Sequence, residues 1–135
     1  MDFAEILKPG IAAEKHDTVT DKNTAAAFGS GGLPVYATPA MIALMEGAAL
    51  SAAETVLQPP WTTVGTELNV KHSSASPLGM KVYARAELVA IDGRALSFKV
   101  EAFDEAGKIG EGVHNRFIVE SEKFLAKAVS KGNRD

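Results

Sequence analysis

The sequence predicts an α+β fold, an antiparallel β-sheet wrapped around one central apolar helix. Two observations predict it. Residues 41–57 are mostly alanine, leucine, methionine or isoleucine, so apolar side chains cover most of a helix's circumference instead of one stripe. After Trp61 the apolar period changes to two, in four successive extended runs. A helix that is apolar nearly all round must be enclosed, and a sheet with one apolar face must cover something. Curling the sheet around the helix satisfies both.

The elements follow in order. Residues 10–20 end in the β-branched Thr18, Val19 and Thr20 and are expected to form a first strand, although their alternation is weak. Asp21 to Ser30 hold the alanines Ala25, Ala26 and Ala27, followed by Phe28-Gly29-Ser30-Gly31-Gly32, which predicts a short helical turn and then a mobile glycine-rich loop. The central helix is expected to start at Thr38-Pro39, with the threonine hydroxyl as N-cap and proline at the first helical position, where its missing N–H loses nothing. Gln58-Pro59-Pro60 ends it.

Of the four extended runs, the first places Val64, Thr66, Leu68, Val70 and His72 on one face, and the second Met80, Val82, Ala84, Ala86 and Leu88. The third aligns Leu96, Phe98, Val100 and Ala102, and the fourth Ile109, Val113, Phe117 and Val119. Asp92-Gly93 and Glu105-Ala106-Gly107-Lys108 sit where tight hairpin turns are needed, so the last three strands should form an antiparallel meander. Ser121 opens a short closing helix with Phe124, Leu125 and Ala128 on one side, ending before Gly132. Residues 1–135 read as a single domain of the arrangement known as the hot-dog fold. Its outer strand edges invite pairing with a second copy, so a homodimer is expected.

Composition narrows the function. At 135 residues, 46% hydrophobic and 23% charged, the chain is an ordinary globular domain able to bury about two-thirds of its unfolded surface. It has no cysteine, which excludes disulfides, thiolate metal sites and thiol nucleophiles and fits a reducing, cytoplasmic setting. With 14 basic and 17 acidic residues it lacks the positive excess of a nucleic-acid partner. The first ten residues do not read as a signal peptide, and the most apolar stretch, Met41 to Ala53, contains Glu46 and falls short of the roughly 20 residues a membrane span requires. There is no Gly-x-Ser-x-Gly elbow, no P-loop (Gly107-Lys108 precedes Ile109) and no Rossmann spacing. His16, His72 and His114 are far apart in sequence, so no metal site is expected.

Three residues remain as candidates. Glu46 sits among Leu44, Met45, Ala48 and Ala49, so its carboxylate is expected to be shielded from water, which costs several kcal/mol unless the group is paired or protonated. The plainer alternative is a narrow polar stripe shared with Glu54 and Gln58. His72 falls on the inward face of its strand, near the end, where a core or rim histidine is the plainer account. Thr38 has its capping role. Together they can supply a nucleophile or base, a proton partner and an orienting hydroxyl, which suits acyl transfer to water. Eight residues of helix separate the Thr38 and Glu46 backbones by about 12 Å, so a shared site requires one of them from a second subunit.

The runs Ala37-Thr38-Pro39-Ala40-Met41-Ile42-Ala43-Leu44-Met45-Glu46, Val64-Gly65-Thr66 and Val70-Lys71-His72-Ser73-Ser74-Ala75-Ser76-Pro77-Leu78-Gly79 resemble the fluoroacetyl-CoA thioesterase family of hot-dog proteins. The likeness extends through residues 94–100, Gly112-Val113-His114-Asn115-Arg116 and Glu122-Lys123-Phe124. It implies that Thr38, Glu46 and His72 are catalytic and that Gly65 and Arg116 contact substrate. It also implies a thioester hydrolase with coenzyme A as part of the substrate and no separate cofactor. Before Thr38 the chain departs from the family, with Gly29 and Gly32 where the specialist's lid carries phenylalanines. A glycine loop closes less tightly on a small halogenated acyl group, so a general acyl-CoA thioesterase is the reading. The alternatives are a noncatalytic acyl-CoA-binding module and, behind it, an enoyl-CoA hydration enzyme.

Overall fold

A computed structural model describes residues 2–132; Met1 and residues 133–135, the outermost of the expected domain, lie outside the described residues. A 3-10 turn (Phe3–Glu5) precedes β1 (Ala12–Thr18), α1 (Ala25–Phe28), α2 (Thr38–Glu54), β2 (Trp61–His72), β3 (Lys81–Asp92), β4 (Ala95–Asp104), β5 (Gly107–Glu120) and α3 (Ser121–Ser130). The five strands form one antiparallel sheet in the order β1-β3-β4-β5-β2, which curls around α2. The expected meander is its centre, and β1 and β2 are its two edges.

The helix α2 forms where expected. Its buried residues run from Ala40 and Met41 through Met45, Ala48 and Ala49 to Ala53, and small side chains let the sheet approach closely. It stops at Glu54, three residues before the expected end, and Thr55 turns its hydroxyl back onto the Ala52 carbonyl. Against it lie Val82, Ala84, Ala86 and Leu88 of β3 and Leu96, Phe98, Val100 and Ala102 of β4, all 2% exposed or less. These eight residues are the two apolar faces expected from the alternation.

Two strands depart from expectation. In β2 the register slips between Gly65 and Glu67, so Thr66 is an extra residue. The bulge reverses the faces upstream of it: Thr63 and Gly65 lie opposite the inward Ile118 and Arg116, whereas Val64 pairs with the outward Phe117. In β5 the expected apolar face is largely the outer one, since Val113 is 50% exposed and Phe117 42%. Its inner face carries Gly110, Gly112, His114, Arg116 and Ile118; the first four lie opposite Ala102, Val100, Phe98 and Leu96 of β4. Ile109 is buried at a second slip in register, between Ala102 and Phe103 of β4. The glycines are required by crowding, because a Cβ on Gly110 would lie 2.6 Å from Met41 Sδ and 2.7 Å from the Lys71 carbonyl.

The short helical turn expected ahead of α2 is present as α1. Thr24 Oγ1 caps the single turn of α1, and Gly29 closes it in the left-handed region at φ 69°. No helix among the described residues is long and apolar enough to cross a membrane.

Candidate active site

Polar side chains gather at two points along α2. At its start, Thr38 is the first helical residue and not the cap: Ala37 holds the N-cap position, with no side-chain hydrogen bond there. The expected capping role is therefore corrected. Entering the helix one residue earlier frees the hydroxyl, and Thr38 Oγ1 lies 2.7 Å from His72 Nδ1 at the end of β2. His72 Nε2 is buried without a partner among the described residues. Burial pushes the His72 pKa below its ordinary value, partly offset by the Ser74 backbone. A neutral imidazole held by a hydroxyl on one nitrogen can accept or pass a proton at the other.

A cleft of about 340 Å³ opens beside this pair, lined also by Ala25, Ser30, Tyr36 and Ser74. Tyr36 is buried and its Oη has no partner among the described residues. Burial, and then the charge of Asp17, raise its pKa, so the phenol keeps its proton.

The second gathering lies two turns along α2. Glu46 leans over Gly65, where an added Cβ would stand 2.8 Å from Glu46 Oε2 and 3.1 Å from His114 Cε1, so a residue without Cβ is needed for the carboxylate to rest there. Arg116, directly opposite Gly65 in the ladder, is buried. Its Nε donates to Thr63 Oγ1 at 2.8 Å and its Nη2 to the Thr63 carbonyl at 2.9 Å. Its Nη1 lies 3.0 Å from His114 Nε2 and 3.8 Å from Glu46 Oε2. Burial lowers the Arg116 pKa and the carboxylates of Glu46 and Glu54 restore part of it; a guanidinium remains charged throughout.

Glu46 is more open than its apolar neighbours imply, with 41% of its side chain exposed in the single chain. The expectation of a shielded carboxylate is corrected for the chain alone. The sheet curls around only part of α2 and leaves a stripe of Ala43, Glu46, Gly47, Leu50 and Glu54 at least partly uncovered.

The fold thus brings Thr38 to His72, and Glu46 to Gly65 and Arg116, but the two groups stay about 12 Å apart along one helix. Thr63 and His114 were missed in the sequence. Their signal was the His-x-Arg spacing at 114 and 116, which places both side chains on one strand face, and it was masked by assigning the apolar Val113 and Phe117 to the inside. Among the described residues no group of three or more His, Cys, Asp or Glu is placed to hold a metal ion.

Residues 19–122 match the family model described as fluoroacetyl-CoA-specific thioesterase. The fluoroacetyl-CoA thioesterase of Streptantibioticus cattleyicolor is 41% identical over 97 residues, 72% of this chain and 70% of that protein. A threonine-to-serine mutant of such an enzyme, in complex with acetyl-CoA, superposes with a TM-score of 0.86 at 32% identity, covering 94% of this chain and 100% of that one. A hot-dog-like protein from Thermanaerovibrio acidaminovorans shares the fold, with a TM-score of 0.88 at 20% identity over the whole of both chains. Sequence likeness across most of the chain and superposition of the whole fold give the same answer: the chain belongs to the fluoroacetyl-CoA-specific thioesterase family, thioester hydrolases of the hot-dog fold.

Proposed function

We propose that this thioesterase cleaves acyl-CoA at a site shared by two copies of the chain, with Thr38 and His72 of one copy facing Glu46, Gly65 and Arg116 of the other. The observation that supports this reading is the placing of Thr38 and Glu46 eight residues apart on a single helix, the first touching His72 and the second open to solvent. A second copy laid over the uncovered stripe of α2 would dehydrate Glu46 and bring an imidazole to it.

In the reaction Glu46 supplies the electron pair that reaches the thioester carbonyl carbon, directly or through a water molecule it deprotonates. The C–S bond breaks, and the neutral His72 relays to the leaving thiolate the proton given up by the attacking water, taken from that water directly or by way of Glu46, so that one water adds its OH to the acyl group and its H to the thiol. Thr38 orients the imidazole, and the Arg116 guanidinium offsets negative charge as it develops. Coenzyme A enters as part of the substrate and leaves as the free thiol, without a further cofactor. The glycine loop borders the cleft, which Ala25 and Ser30 help to line. Acyl groups larger than fluoroacetyl are expected to fit.

Release of free thiol from a panel of acyl-CoAs tests the reading. Glu46→Ala and His72→Ala are each expected to lose about a thousandfold in kcat with fold and assembly intact. Binding of acyl-CoA by the wild type without release of thiol overturns it in favour of a binding module. The shared site has its own test. Equal mixing of Thr38→Ala and Glu46→Ala chains should restore about a quarter of wild-type activity, since half the dimers are mixed and each of those regains one intact site of two. No recovery after verified subunit exchange rules the shared site out.

A further inference from the structure

His114 is fully buried, stands in no position that the reaction above uses, and is hydrogen-bonded on both ring nitrogens. Nδ1 lies 2.9 Å from the backbone carbonyl of Glu67. A carbonyl oxygen can only accept, so the proton of a neutral imidazole sits on Nδ1 and Nε2 is left with a lone pair. That lone pair faces Arg116 Nη1 at 3.0 Å, and a guanidinium nitrogen can only donate. A doubly protonated ring would set an N–H against an N–H there.

The carbonyl that makes this assignment belongs to the β2 bulge. Glu67 is the residue at which the ladder resumes after the extra Thr66, and the irregularity is tied down from both sides: Thr66 Oγ1 donates to the Asn115 carbonyl, and Asn115 Nδ2 donates to Glu67 Oε1. Ser97 Oγ in turn donates to Asn115 Oδ1. The bulge, the imidazole and the guanidinium therefore form one chain of fixed donors and acceptors that ends 3.8 Å from Glu46 Oε2.

We propose that His114 is a positioning residue for the reaction, set as its Nδ1–H tautomer by the bulge carbonyl of Glu67 so that Nε2 holds the Arg116 guanidinium beside Glu46. Thr63 grips the Nε and Nη2 side of the guanidinium and His114 grips the remaining nitrogen, the one nearest the carboxylate. Arg116 so held aims its charge at the reacting group and does not swing toward solvent. The inference rests on the reading that Glu46 and Arg116 serve thioester cleavage, and its first test does not depend on turnover.

That test is the tautomer. Long-range 1H–15N spectra of wild type labelled at histidine should show His114 protonated at Nδ1 and unprotonated at Nε2 at pH 7; the opposite tautomer overturns the proposal whether or not the protein is active. The second test is a kinetic cycle. His114→Leu, which removes donor and acceptor, should lower kcat/KM for acetyl-CoA by roughly 30-fold, and Arg116→Ala by a similar factor. The double variant should be within about twofold of Arg116→Ala alone, because the two residues act as a unit. His114→Gln, whose amide oxygen reaches where Nε2 stood, should recover activity to within about threefold of wild type. Losses at 114 and 116 that simply multiply, or full activity in His114→Leu, overturn it. Failure of hydrolysis itself is read separately, as a wild type that releases no thiol.

Discussion

The β3–β4 half of the sheet and the β5–β2 half press on the same helix with different materials. The first offers eight aliphatic or aromatic side chains in strict alternation, and the second offers glycines, a histidine, an arginine and a threonine. In the half that only packs, period two holds from Val82 to Leu88 and from Leu96 to Ala102, where sequence pattern equals structure, until the register slips between Leu88 and Ala90. In the half that borders the proposed site, the alternation is interrupted by a bulge and by inward polar groups, each with a partner. The difference teaches that a broken pattern beside an intact one can mark where a protein spends its special residues.

The sharpest way to separate the halves is to damage one and measure both properties. Leu88→Ala, at a fully buried position on β3, should lower stability by about 3 kcal/mol in urea titrations, with kcat per folded molecule nearly unchanged. Arg116→Lys should do the reverse. Lysine keeps the charge but cannot reproduce the fork to Thr63 and His114, so kcat/KM should fall about 30-fold, or about 2 kcal/mol in transition-state stabilisation.

Acid should expose the chemical half next. Burial lowers the pKa of both His72 and His114, so between the unfolded value of about 6.5 and the lower folded values the unfolded chain binds more protons. Stability contributed by the two neutral rings is complete above that window and is lost as pH falls through it. The urea midpoint should drop between pH 7 and pH 5, and His114→Gln should flatten the drop; an unchanged slope in that variant would count against a buried neutral His114. The smallest effect belongs to the outer face of β5: Val113→Thr, at a half-exposed site, should change stability by less than about 0.5 kcal/mol and leave turnover alone.

Legibility followed the same division. The central helix, the hairpins and the inner faces of β3 and β4 were readable because each rests on local pattern and turn chemistry. The bulge at Thr66 left no mark in composition, and without it the face assignment of Thr63 and Gly65 inverts. In β5 the apolar Val113 and Phe117 outweighed the Gly-x-Gly-x-His-x-Arg alternation, although the latter points inward. Thr38 was found for one reason and serves another, because a hydroxyl at a helix start is readable as a cap and its reach to His72, 34 residues on, is not. Resemblance supplied Gly65 and Arg116; the close approach that makes Gly65 necessary appears only in three dimensions.

The bulge in β2 has a bearing on how another strand can pair with that edge. A twelve-residue border strand rich in threonine and valine presents a free row of amide groups, the kind of template on which further chains stack. One supernumerary residue at Thr66 bends that row and throws it out of step, and charged Glu67 and Lys71 guard it on either side of Asn69. The kink that turns the Glu67 carbonyl toward His114 therefore also limits how far a second strand can run in step along β2.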